Sequence, residues 1–262
     1  MMRFKDYLFY LLNMGENPED AAVTRQQHHL GRVGETHFYE IALLVYSGEA
    51  SQLLPANPGT GNDLAAWVPS LKHHRFTQLS LDAALPSQPF DELHWLCTDQ
   101  TDPTSLERLK KMARLIHIHF VGVPTGSIFP EERVYHWQRR QDIFDFWSSL
   151  YRARDSLSSF GLNWGSNLSK SSQPMIGHYT SAYGNTPSQA LLNLKNSMRL
   201  TEPPGAQEAV LVIESSPALS VDEYVSIMDL VGCLLGCDIA PVLHLSDEHE
   251  RCNLRLLTFS TQ

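Results

Sequence analysis

Positive charge is scarce in this sequence. Its 262 residues hold 20 Lys and Arg against 29 Asp and Glu, a formal net charge of −9. Phosphate contacts need clustered cations, so broad nucleic-acid binding and anionic-membrane binding are excluded as main activities. The densest basic spots, Lys110-Lys111 and Arg139-Arg140, read as solvated helix faces. Long hydrophobic runs are missing too. Tyr7–Leu12 is too short to span a membrane and has no cleavage-site pattern, so it reads as an amphipathic or packed helix. Four cysteines, Cys97, Cys233, Cys237 and Cys252, lie scattered in apolar contexts. That excludes a disulfide framework and fits a reducing cytoplasm. No Gly-x-Ser-x-Gly occurs, so a nucleophile elbow is excluded. Internal repeats and low-complexity tracts are also lacking.

Apolar material is ample, at 42% against 19% charged, enough for one large or two medium domains. The best-punctuated stretch is Met175–Phe259. Pro174–Ala182 reads as a strand. Thr186-Pro187 starts a helix, with Ala190, Leu191, Leu194 and Met198 on one face. Ala209–Ile213 is a short, β-branched run suited to a strand buried on both faces. Ser220 and Glu223 form a capping box, and Gly236 stands where a helix C-terminal glycine belongs. Ile239–Leu245 and Cys252–Thr261 read as strands, giving the order β-α-β-α-β-β.

The earlier chain predicts helices at Phe4–Leu12, about 18–30 and Asp63–Leu71, and strands at His37–Tyr46 and Arg75–Leu81. Glu92–Cys97, a helix from Pro103 to about Arg114, and Leu115–Val123 form a βαβ unit with parallel strands. Glu131–Ser159 reads as one long helix, with Val134, Trp137, Gln141, Phe144 and Tyr151 roughly on one face.

This order, and the words Gln207–Ile213, Ala218–Glu223 and Arg255–Phe259, resemble the C-terminal domain of FtsZ, the bacterial tubulin homologue. The unit from Phe90 to Val123 is similar in order to that family's tubulin-signature unit. The chain also resembles uncharacterised enterobacterial families such as that of YjfZ. The FtsZ resemblance implies an α/β, FtsZ/tubulin-like fold: an N-terminal mostly parallel sheet with helices over 1–130, a connecting helix over 131–160, and a C-terminal β-α-β-α-β-β domain over 161–262.

The residues that would carry the family's chemistry have changed. Anion binding needs free N–H groups and close backbone approach. The family's glycine- and threonine-rich loop corresponds to Thr98–Ser105, which has no glycine, two carboxylates (Asp99 and Asp102) and Pro103. Thr101, Thr104 and Ser105 are its remaining candidates for nucleotide contact; the plainer reading is that Asp102 caps a helix. A second cradle is Asn57–Asp63, where Gly59, Gly61 and Asn62 could approach phosphate. No P-loop lysine follows it, and a surface turn explains it as well. The stretch matching the family's hydrolysis loop, Gly161–Leu168, keeps Asn163, but no Asp or Glu occurs from 156 to 172. A group able to take a proton is missing there.

His94, His117 and His119 lie on adjacent predicted strands and could ligate zinc, although no Cys or carboxylate stands at a recognised ligand spacing. Cys233 and Cys237 share a helix face and read as buried small hydrophobes. The sequence thus predicts a cytoplasmic, catalytically degenerate FtsZ/tubulin-like protein, without cofactor, whose partner is FtsZ or a second copy. The alternative is a nucleotide-binding α/β enzyme using the loops at 57–63 and 98–105.

Overall fold

In the computed structural model the described residues are 39–45, 74–80, 89–97, 104–122, 134–155, 159–160, 175–201 and 205–261. They form strands β1 (Tyr39–Val45), β2 (His74–Ser80), β3 (Phe90–Cys97), β4 (Ala113–Val121), β5 (Val134–Trp137), β6 (Ser159–Phe160), β7 (Met175–Gly184), β8 (Glu208–Ser215), β9 (Asp238–Leu245) and β10 (Cys252–Thr261). The helices are α1 (Ser105–Leu109), α2 (Arg140–Asp155), α3 (Pro187–Thr201) and α4 (Val221–Leu235).

All of these strands lie in one sheet, in the order β2-β1-β3-β4-β5-β7-β10-β8-β9-β6. Strands β2 through β7 in that order run parallel. β10 is antiparallel to both β7 and β8, and β8 runs parallel to β9. The parallel unit β3-α1-β4 and the order β7-α3-β8-α4-β9-β10 match the sequence reading.

Both faces of the sheet are covered, so its strands are apolar on both sides. Along β8, Val210 and Val212 face α2, while Ala209, Leu211 and Ile213 join a core with α3 and α4. β10 divides likewise: Leu257 and Phe259 face α2, and Leu254 and Leu256 face the other way. Beyond β7 the second face is closed by Leu93, Trp95, Leu106, Leu109, Ile118 and Phe120, with α1 as cover.

Two boundaries differ from the sequence reading. The predicted long helix does not begin at Glu131: Val134–Trp137 is strand β5, and α2 starts at Arg140. Val-Tyr-His-Trp is β-branched and aromatic, and it fills the slot between β4 and β7. The helix start is fixed by Asp142, whose carboxylate accepts from the Arg139 backbone N–H and the Arg139 guanidinium. Second, α1 ends at Leu109 and not near Arg114. Met112 N–H donates to Leu109 O, and Phe90 N–H donates to Met112 O, so the sheet captures the chain before another helical turn can form. The predicted elements before residue 39 and at 63–71 lie outside the described residues.

The C-terminal punctuation is as read. Ser220 caps α4, with Glu223 bonding back to the Ser220 N–H, and Gly236 closes the helix at φ 64°. Gly184 is forced by packing instead. A Cβ there would stand 2.3 Å from Ala190 N and 2.8 Å from Gln189 C, because β7 runs straight into the first turn of α3. Backbone cannot yield as a side chain can. Gly184→Ala should therefore cost roughly 2–3 kcal/mol in urea unfolding; a neutral result would show that β7 and α3 are not in contact here.

Candidate functional site

Alternation along β3 and β4 puts one polar set on the face beneath α2. Glu92 and His94 come from β3, and His117 and His119 from β4, with His94 directly paired to His117. All four side chains are buried. Tyr135 and Trp137 of β5 extend the layer, and Trp147 and Tyr151 of α2 lie over it. His94 stacks on His117 at 4.8 Å and on His119 at 5.2 Å, and Trp147 lies 4.3 Å from His117 between centroids.

The hydrogen bonds in this layer have a fixed direction. An indole N–H can only donate. Trp137 Nε1 donates to His119 Nδ1 at 3.0 Å, so His119 carries its proton on Nε2. That proton goes to His94 Nδ1, 3.0 Å away, leaving the His94 proton on Nε2. His94 Nε2 donates to the Tyr151 hydroxyl at 2.5 Å, and Tyr151 donates to Glu92 Oε2 at 2.7 Å. Tyr39 donates to the other carboxylate oxygen at 3.0 Å. The neutral state of His119 is consistent with this chain: burial, then the neighbouring His94, holds its pKa well below the ordinary imidazole range.

The structure brings the three predicted histidines together, but the donors that converge are a different set. Oxygen or nitrogen atoms of Glu92, His94 and His117 lie within 4.8 Å of one another. His119 is turned to Trp137 and His94, with both ring nitrogens engaged. Ligation through His94 Nε2 would displace the proton it gives to Tyr151. Sequence reasoning missed Glu92, although its position two residues before His94 on one strand placed it on the same face. It also passed over a second cluster, Glu214, His244 and His249 with Arg152 and Arg255. There the two guanidiniums bond both oxygens of Glu214 and hold its pKa down to about 2 against the opposing effect of burial.

Of the residues proposed for nucleotide contact, Thr104 and Ser105 are described. Thr104 occupies the N-cap position of α1 in the αR conformation, and its side chain makes no cap bond. Ser105 opens a helix of 5 residues. Gly59, Gly61, Asn62, Thr101 and Asp102 lie outside the described residues, as does 161–168. Cys233 is exposed on α4 and Cys237 is half-buried, so they are not the buried pair that their spacing predicted.

No protein-family model matches the chain, and no curated protein matches it. Solved structures do match. A tryptophan-to-tyrosine mutant of FtsZ from M. jannaschii superposes with a TM-score of 0.54 at 10% identity, over 94% of this chain and 96% of that one. The empty FtsZ dimer of M. jannaschii gives a TM-score of 0.52 at 10% identity, over 94% and 93%. The chain has the FtsZ/tubulin-like fold. At this identity the likeness to FtsZ is one of architecture, carried by the sheet order and helix placement and not by shared residues. None of these matches points to the family of YjfZ.

Two outcomes follow from the buried groups. Tyr151→Phe removes the donor to Glu92 and the acceptor for His94 together, and should lower stability by about 1–3 kcal/mol in chemical denaturation. A loss within experimental error would show that the polar layer is not coupled through Tyr151. Acid should also destabilise the fold. Partial burial, then the neighbouring His178, lowers half-buried His136 to about 4, and His178 and His119 are lowered as well. Their neutral forms belong to the folded state, so stability is full above the unfolded value of about 6.5 and declines as pH falls toward about 4. A melting temperature that stays level from neutral pH down to about pH 4.5 would contradict this.

Proposed function

We propose that this chain is a catalytically degenerate FtsZ/tubulin-like protein that acts by binding protein, either a second copy of itself or FtsZ. The observation that carries this reading is the FtsZ architecture kept over 94% of the chain while the loop at Thr98–Ser105 holds no glycine and two aspartates. A polyphosphate there would meet Asp99 and Asp102, with one N–H removed by Pro103. The lack of any carboxylate from 156 to 172 points the same way, because water activation needs a proton acceptor. Glu92, His94 and His119 beneath α2 are buried and engaged in one hydrogen-bonded chain with Tyr151.

Self-association is favoured by the second match, an FtsZ solved as a dimer. The division into an N-terminal and a C-terminal domain belongs to the same reading, with Arg140–Asp155 as the connecting helix. So does a cytoplasmic place of action, which four cysteines outside any disulfide, Cys97, Cys233, Cys237 and Cys252, suit. No described helix is long and apolar enough to cross a membrane.

Titration with a fluorescent guanine nucleotide and magnesium should give no saturable binding at micromolar protein. Saturation in that range would favour the nucleotide-binding alternative. Sedimentation velocity over a concentration series should reveal self-association, or co-pelleting with FtsZ under assembling conditions should reveal a mixed complex. If neither is seen, the partner reading is lost.

A further inference from the structure

Glu214 lies near the end of β8 and is 1% exposed. Arg152 of α2 donates to its Oε1 at 3.2 Å, and Arg255 of β10 donates to its Oε2. Beside this carboxylate, His244 of β9 and His249 of the following turn bring ring nitrogens to 3.3 Å, with their planes at 88°. Both rings have a nitrogen within 4.8 Å of a Glu214 oxygen. The groups facing the two imidazoles are therefore Arg152 from α2, Glu214 from β8, Arg255 from β10 and Glu248 from the turn. A divalent cation here would meet the charge of two guanidiniums already on the carboxylate.

One proton between the two rings makes a hydrogen bond, neutral imidazole to neutral imidazole. One proton more keeps that bond, now as imidazolium to imidazole. A further proton sets N–H against N–H across 3.3 Å and places four cations around one buried carboxylate. One ring must then leave. His244 is 8% exposed within β9, whereas His249 is half-buried on a turn. That turn is held by Ser246 N–H to Ser215 O at 3.1 Å, His249 N–H to Ser246 O at 3.1 Å and Glu248 N–H to Ser246 Oγ at 3.2 Å. It also walls a cavity of about 150 Å³, lined by Ser215, Ser216, His249 and Cys252, at the carboxyl ends of β7 and β8. Cys252 is 2% exposed.

We propose that the turn at 246–250 is an acid-released gate over this cavity, with His249 as the moving group and Arg152, Glu214 and Arg255 as its fixed frame. Burial, chiefly, keeps both imidazoles below their ordinary range. The closed turn therefore holds the neutral pair and the open turn takes up protons. Closure is complete above about pH 6.5 and is lost as pH falls below it.

Hydrogen exchange on the full chain, corrected for intrinsic rates, tests this. Between about pH 7.5 and 5.5 the opening of the 244–252 peptide should rise by about tenfold per pH unit below 6.5 for each proton taken up. Reaction of Cys252 with 4,4′-dithiodipyridine, located by peptide mapping and corrected for the fall in thiolate fraction with pH, should rise in step, while that of buried Cys97, corrected likewise, does not change. His249→Gln should leave the turn closed at both values. Glu248→Gln removes an acid that favours the imidazolium in the closed turn, so this variant should open at least as far as the native chain at pH 5.5. Unchanged protection in the native chain, a parallel rise at Cys97, native-like opening in His249→Gln, or a Glu248→Gln turn that opens less than the native one would each overturn the gate.

Discussion

A sheet this wide exposes two large faces, and among the described residues one of them is closed at its middle by a single helix. Ile143, Phe146, Trp147, Leu150 and Tyr151 of α2 are all fully buried. They pack against Ile41 and Leu43 of β1, Tyr135 and Trp137 of β5, Val210 and Val212 of β8, Val242 of β9 and Phe259 of β10. Each such side chain contributes on the order of 2 kcal/mol by leaving water. The cluster therefore bridges the parallel strands and the antiparallel ones. Neither half could keep its apolar side dry without α2, which makes the placement of this helix the condition for the rest.

The polar layer beneath α2 adds specificity to that placement. A helix packed only on aliphatic groups could slide by a turn at modest cost. Here Tyr151 must reach Glu92 and His94 at once, and Arg152 must reach Glu214. The same groups fix the pairing of β3 with β4. A one-residue slip of β3 would send Glu92 and His94, and one of β4 His117 and His119, into the apolar core around Leu93, Trp95 and Ile118. Buried polar groups of this kind are costly when unmet, so the wrong register is penalised more than the right one is rewarded.

Much of this architecture is legible in the sequence because the signals are local. Ser220 with Glu223, Gly236, and Thr186 with Pro187 act within one turn of backbone, and the run Ala209–Ile213 can only be a strand buried on both faces. The errors came where tertiary demand decided. Val134–Trp137 carries a spacing that also suits a helix, and only the open slot between β4 and β7 makes it a strand. Met112 leaves the helix because Phe90 needs its carbonyl. The histidines were legible as a shared face from simple alternation. Their wiring was not, since it depends on Trp137 and Tyr151, which arrive from elements far along the chain. The cluster at Glu214 was hidden for the same reason: its five members come from α2, β8, β9, a turn and β10.

β10 has a consequence for how the molecule is made. It lies between β7 and β8, which do not touch each other's edges, and it pairs with β7 from Cys252 to Thr261. On the ribosome, β7 and β8 are finished long before their common neighbour exists. Each then presents an unpaired strand edge, the kind of surface that templates aggregation. Within the sheet the parallel block is hydrogen-bonded to the β8-β9 pair through this late strand, so the sheet closes by contacts distant in sequence, and such topologies fold slowly. Until residue 261 has cleared the exit tunnel, the nascent chain therefore carries these edges without their common neighbour.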